Sequence, residues 1–279
     1  MKIVVTGSRG MLGSVLAARL ITAGHAVLPI DLPERDLLDF PAVAAYLHAQ
    51  RPDFIYNCAA FTNVDLCETE EAKARAVNAL VPGQLADLAA ELDIPVLQIS
   101  TDYVFSGSGI RPYLPEDLPA PLSAYGRTKA EGEALAQKAP RHFIVRTAWL
   151  YGHNGKNFVE TIIALAKTKP ELKIVDDQRG APTFVDDLVE SLLLFLECSE
   201  YGIYHFTNSG ETTWCGFAKE FLRLTGSGVR VLPCATAEFP RPARRPAYSV
   251  LDLDKTRSML KIKIPDWPDA VARYCKGRR

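Results

Sequence analysis

Lys2-Ile3-Val4-Val5-Thr6-Gly7-Ser8-Arg9-Gly10-Met11-Leu12-Gly13, continued by Val15-Leu16-Ala17-Ala18-Arg19-Leu20, is the stretch whose reading decides the fold. Ile and Val dominate the first residues, which make a strand; the glycines make a turn, and the apolar run after them a helix. In a G-x-x-G-x-x-G turn the backbone can approach a pyrophosphate closely and helix and strand can pack with no side chain between them, while the helix N-terminus faces the anion. Gly7, Arg9, Gly10, Met11, Leu12 and Gly13 are therefore candidate cofactor contacts. Glycine turns also join strands to helices in folds that bind no nucleotide, so the rest of the chain has to decide.

Outward from that turn, strand and helix patterns alternate. His25 to Ile30 is a second strand ending at Asp31, where a carboxylate can accept hydrogen bonds from an adenosine ribose. Arg9 and Arg35 stand where guanidinium groups could hold a 2'-phosphate, so both NADH and NADPH stay open. Asp39 reads as a helix cap or as an adenine contact. Phe54-Ile55-Tyr56-Asn57-Cys58-Ala59-Ala60 is a third strand with small residues at its end. Ligands of open parallel sheets bind beyond the carboxyl ends of the strands, so Ala59, Ala60 and Thr62 are either cofactor contacts or close packing.

A helix through Asn78 leads to a strand from Val96 to Ile99, then Ser100-Thr101-Asp102-Tyr103-Val104-Phe105, where a strand-end hydroxyl can bond a substrate carbonyl. Ser106 to Pro121 is a long loop of the kind that covers active sites. His142 to Arg146 is a further strand, and Trp149 beyond it is either core or a wall for a substrate ring.

These units imply an α/β fold with a doubly wound parallel Rossmann sheet and right-handed crossovers. After Arg146 the alternation loosens into a strand at Leu172–Asp176, a helix at Val185–Glu197, a strand at Gly202–Phe206 and a helix at Phe217–Leu224. The expected division is a dinucleotide-binding domain of residues 1–148 and 172–208, with a smaller interleaved α/β substrate domain of residues 149–171 and 209–279. Near its end the chain carries Arg241-Pro242-Ala243-Arg244-Arg245-Pro246, either a solvated loop or a diphosphate clamp.

Tyr125 and Lys129 are four residues apart at the start of a helix, so they share one face. An ammonium near a phenol favours the phenolate, which brings proton transfer closer to neutral pH. The chain's 32 basic and 33 acidic residues nearly balance, which gives no electrostatic case for nucleic acid or an anionic membrane. No apolar run reaches a membrane span, and six scattered cysteines without a Cys-x-x-Cys point to a reducing cytoplasm. The five histidines have no metal-ligand spacing, and no metal site is expected.

Thr6-Gly7-x-x-Gly10-x-x-Gly13, Asn57-Cys58-Ala59-Ala60, Ser100 to Phe105 and Tyr125-x-x-x-Lys129 together resemble the extended short-chain dehydrogenase/reductase superfamily. Val64-Asp65 with Glu68, Tyr125-Gly126-Arg127-Thr128-Lys129, Arg146-Thr147-Ala148-Trp149, Asp177 to Thr183 and Pro242 to Pro246 are similar to the dTDP-4-dehydrorhamnose reductase family, nearly end to end. The resemblance implies NAD(P)H-dependent reduction at C4 of a dTDP-linked 4-keto-6-deoxysugar. It makes Tyr125 the proton donor, and Lys129 the group that lowers the phenol's pKa and bonds the nicotinamide ribose. Thr101 would orient the carbonyl, with Ser100 at the cofactor, Asp102 and Trp149 at the sugar nucleotide, and Arg244 and Arg245 near its diphosphate. Some members carry a glutamate two residues after the third glycine and form a magnesium-linked dimer; Val15 stands there, so that dimer is not expected. A sugar-nucleotide epimerase or dehydratase and a non-catalytic NADP-binding regulatory subunit are the rival readings. Dehydratases of the superfamily usually place an acidic pair after the strand-end threonine, where this chain has only Asp102.

Overall fold

In the computed structural model, which describes residues 1–278, strand β1 (Lys2–Thr6) opens the fold and is buried on both faces. Ile3 and Val5 enter one buried layer and Val4 the opposite one, which explains an apolar run without polar alternation. The other strands of its sheet are β2 (Ala26–Ile30), β3 (Phe54–Asn57), β4 (Val96–Thr101), β5 (His142–Thr147) and β6 (Gly202–His205). All pairings are parallel, in the order β6-β5-β4-β3-β1-β2, so the doubly wound sheet expected from the sequence is present. The chain reverses direction across the sheet beside β1, and the crevice outside the carboxyl ends of β1 and β3 opens there.

Helices cover both faces. On one, α1 (Met11–Thr22) and α5 (Val185–Leu194) bury Leu16, Leu20, Leu188 and Leu192 against Ile3, Val5, Phe54 and Leu97. On the other, α2 (Phe40–Gln50) and α3 (Val81–Glu91) bury Val43, Leu47, Leu85 and Leu88 against Val4 and Ile55. Helix α4 (Ala124–Ala136), which carries Tyr125 and Lys129, lies beside α3. A π-helical turn at Ala76–Leu80 runs into α3, and its Asn78 side chain bonds both backbone groups of Phe61 and the Thr128 hydroxyl of α4.

A second core forms around Tyr151, Val159, Phe217, Phe221, Val271 and Tyr274. Here the expected division is corrected. Glu171–Val175 pairs in parallel with Arg230–Cys234 instead of joining the large sheet, and its Leu172 and Ile174 belong to this second core. Leu253 and Ile264, assigned by sequence to the smaller unit, pack instead with the core of the large sheet. All six cysteines are free thiols, and among the described residues no helix is long and apolar enough to cross a membrane.

Candidate active site

A cleft of about 960 Å³ opens at the carboxyl ends of the strands, lined by residues from the glycine turn, the segments that follow β2 and β3, the end of β4, α4 and Trp149. Its floor depends on missing side chains. Gly7 has φ +59°, and a Cβ there would stand 2.9 Å from the Ala59 backbone; a Cβ on Gly13 would collide with the Gly7 carbonyl. Gly10 caps α1 with no side-chain hydrogen bond, which leaves the first amides of a twelve-residue helix available to an anion. Asp31, at the rim, accepts the Arg9 amide at 2.8 Å and the Leu32 amide at 2.9 Å. A cradle emptied of Cβ atoms, an uncapped helix N-terminus and a carboxylate at the end of β2 fit a dinucleotide.

Tyr125, Lys129, Thr101 and Asp102 all line the same cleft. Ser123 starts the helix that presents the first two, its hydroxyl accepting the Gly126 amide at 3.2 Å. The Tyr125 ring packs edge-on to Tyr103 at 5.5 Å. Lys129 is buried and donates to the Ile99 carbonyl at 2.6 Å. Burial pulls its ammonium down to about 8, with Glu133 and then Cys58 opposing the fall.

Tyr125 departs from the sequence expectation: withdrawal from water raises its phenol, the neighbouring Thr101 hydroxyl opposes that, and Lys129 points at a backbone carbonyl. Thr101 donates to Asp102 Oδ1 at 2.9 Å and accepts the Tyr103 amide at 3.2 Å. Burial pushes the Asp102 carboxyl up to about 6; the Ser249 and Thr101 hydroxyls favour its ionised form. Ser249 nonetheless stays outside hydrogen-bond geometry, and the buried Oδ2 is left without a partner among the described residues.

The whole chain, residues 1–279, matches the family model described as RmlD substrate binding domain. A dTDP-4-dehydrorhamnose reductase of Sinorhizobium fredii is 39% identical over 98% of this chain and 96% of its own length. The crystal structure of a dTDP-4-dehydrorhamnose reductase from Clostridium acetobutylicum superposes with a TM-score of 0.95 at 41% identity, over 99% of each chain. The enzyme of the same name from Bacillus anthracis, in complex with NADP, superposes with a TM-score of 0.96 at 35% identity, again over 99% of each chain. The chain belongs to the RmlD substrate binding domain family. The family expected from the ordered motifs is thus the one found.

Within this RmlD-family fold the candidate residues separate into two groups. Gly7, Arg9, Gly10, Met11, Leu12, Gly13, Asp31, Ala59, Ala60, Thr62, Ser100 and Trp149 line the cleft beside the four residues above. Asp39, Arg244 and Arg245 do not. Asp39 accepts the Ala42 amide and caps α2, which is the other of its two sequence readings. Arg245 is held bidentate by Asp65, both contacts 3.0 Å, and Arg244 is exposed. Burial alone would raise Asp65, but Arg245 and the Ala243 amide overcome it and hold the carboxyl below its ordinary value.

The guanidinium groups considered for a 2'-phosphate are also engaged, Arg9 with Glu34 and Arg35 over the Tyr46 ring at 3.5 Å. Ser100 lines the cleft, yet its hydroxyl donates inward to Glu133. Trp214 and Lys73 are additional lining residues. Trp214 stacks on Trp149 at 3.6 Å, closing one side of the cleft from the second core. The structure starts its helix at Trp214, three residues before the start expected from the sequence, and nothing local reports its partner.

Proposed function

We propose that this chain reduces the C4 keto group of a dTDP-linked 4-keto-6-deoxysugar, dTDP-4-dehydro-L-rhamnose being the substrate its relatives' names indicate, with NADH or NADPH. It would do so as a biosynthetic enzyme of nucleotide sugars in a reducing cytoplasm. The observation that carries the reading is the meeting of Tyr125, Lys129, Thr101 and Asp102 in one cleft with a glycine turn fitted to a dinucleotide. A bound reduced nicotinamide supplies the hydride. Everything else falls to the chain's own groups.

Tyr125 holds a proton at its phenol oxygen. Because burial raises that phenol, it stays protonated at neutral pH and can give the proton to an alkoxide, which is a far stronger base than a phenolate. Lys129 brings a positive charge to the same wall of the cleft and stabilises negative charge forming there. Thr101 and Asp102 hold the sugar by hydrogen bonds, and the Trp149–Trp214 stack bounds it on the far side and limits water. Arg244 and Arg245 are not assigned to the diphosphate. Gly10 and the uncapped amides of α1 would hold the cofactor's pyrophosphate. The large sheet with α1 to α5 would form the cofactor unit and the second core the substrate unit.

The test is to mix the purified protein with dTDP-4-dehydro-L-rhamnose and either reduced cofactor and to follow the nicotinamide absorbance. Loss of absorbance with a new dTDP-6-deoxyhexose in the products supports the reading. A folded protein that oxidises neither cofactor sinks it.

A further inference from the structure

Beneath the cleft lies a buried ion pair that the reaction as described does not use. Glu133, one helical turn past Lys129 in α4, pairs with Arg146 of β5, and both side chains are only 2% exposed. Arg146 Nε donates to Glu133 Oε1 at 2.9 Å and Nη2 to Oε2 at 2.8 Å, a bidentate clamp. Oε1 also accepts the Ser100 hydroxyl. Arg146 Nη1 is fixed in turn by the Pro115 carbonyl at 3.0 Å, and its guanidinium lies 4.9 Å from the Phe105 ring centroid. Burying two charges is costly, and an interior pair of this kind is weak evidence for stability alone. What it does is fix one carboxylate, in one rotamer, on the face of the helix that carries Lys129.

The ionisable groups around Lys129 are few. On its own helix stand Tyr125 and Glu133; from β3 comes Cys58, from the β4 exit Asp102 and Tyr103, and Arg146 of β5 lies behind Glu133. From the short helices beside α4, Glu71 and Arg75 are taken up by Arg127 and Glu131, and Glu68 by the Ala124 amide. The Cys58 thiol is pushed up to about 12 by burial and is neutral in the working range. Asp102 is engaged with Thr101. Glu133 is therefore the carboxylate whose charge bears most on the ammonium, with Arg146 behind it offsetting part of that charge.

We infer that Glu133, clamped by Arg146 and Ser100, is a positioning residue that acts at a distance to keep Lys129 charged, while the Ile99 carbonyl holds the ammonium in place. The inference rests on the proposed reductase reading for its consequence in turnover, but not for the titration of Lys129 itself. A buried ammonium with no anion nearby would lose its proton at lower pH. Glu133 opposes that loss, and its clamp keeps the carboxylate from swinging to Lys129 and forming a closed pair that would blunt the ammonium's charge.

The experiment compares wild type, Glu133→Gln and the double variant Glu133→Gln/Arg146→Met. The double variant is included because removing one partner leaves a buried charge uncompensated, whereas removing both keeps the interior neutral. Two readouts are taken on folded protein: the pH profile of kcat/KM, and the Lys129 titration followed by NMR of the side-chain ammonium. The alkaline limb and the Lys129 midpoint should move to lower pH in both variants, by about one unit in Glu133→Gln, the size of a single nearby charge's effect, and by less in the double variant, which also loses Arg146's opposing charge. Glu133→Asp should restore part of the shift. A variant whose melting temperature falls while both midpoints stay at the wild-type value overturns the inference and leaves the pair a structural one. If wild type turns over no sugar nucleotide, the reductase reading fails, and the NMR midpoint still decides the role of Glu133.

Discussion

Tyr125 and Lys129 are held by different forces, and their variants should differ accordingly. The phenol is raised by burial and kept protonated, so Tyr125→Phe removes the proposed proton donor without touching the cradle at Gly7 and Gly13. Turnover should fall by at least about 100-fold, the usual lower range for a general acid, while cofactor affinity measured by fluorescence quenching stays near wild type. Near-normal turnover would reject Tyr125 as the acid. Asp31 admits a second test, because its carboxylate already accepts the Arg9 and Leu32 amides and would repel a 2'-phosphate. Asp31→Ala should weaken NADH binding and strengthen NADPH binding; an equal change in both dissociation constants would show that the carboxylate only shapes the turn. The residue types of this site were readable in the sequence because spacing on one helix and position at strand ends are local properties. Their electrostatics were not. A Tyr-x-x-x-Lys spacing suggested a phenol lowered by its lysine, but Lys129 reaches the Ile99 carbonyl, where Gln98 Nε2 also donates at 2.6 Å, and desolvation governs Tyr125.

At the scale of elements, α4 is the part whose placement matters most, and three contacts set it. Ser123 caps its first turn, Glu68 accepts the Ala124 amide at 2.8 Å, and Asn78 in the π-helical turn bonds Thr128. π-helical turns are often found at functional sites, and this one ties the Phe61 backbone at the cleft wall to α4. Ser123→Ala should cost about 1 kcal/mol, a drop of roughly 2–4 °C in melting temperature. Because the cap fixes the start of the helix, kcat should fall with it; a stability loss with unchanged kcat would mean that Glu68 and Asn78 suffice to place Tyr125. The proline-rich arginine loop shows the opposite balance of legibility. Its three arginines read as a solvated loop or a diphosphate clamp, and Asp65 captures Arg245, with Arg241 at 3.7 Å, so the loop is strapped to the segment that leads toward α3. A salt bridge across some 180 residues leaves no periodic trace in either stretch.

Over the whole molecule, the six-stranded sheet was legible because β1 to β5 are short apolar runs separated by helical patterns. The second core was not, since Glu171–Val175 finds its partner in Arg230–Cys234, a pairing that local patterns do not encode. Two buried titratable groups beside the large sheet shape the response to acid. His205, at the end of β6, faces the Asp252 carbonyl through Nδ1 at 3.1 Å, so Nδ1 carries the proton and Nε2 is left to accept from Arg146 at 3.4 Å. Burial first, and the Arg146 charge second, pull its imidazole down to about 3. The unfolded chain therefore binds a proton at His205 that the folded chain refuses. The resulting stability is present above about 6.5 and is lost as pH falls from there toward 3. Asp102 has the opposite sign. Its carboxyl is raised by burial from 3.8 to about 6, so its contribution is present below 3.8 and lost as pH rises through 6. Between about 4 and 6 the two groups offset one another. Asp102→Asn should expose the His205 dependence, with urea midpoints that fall steeply on acidification through this window. His205→Gln, whose amide can still donate to the Asp252 carbonyl, should expose the Asp102 dependence, with midpoints that fall as pH rises. Wild type should lie flatter than either variant, and three parallel curves would show that neither buried group changes its proton binding on folding.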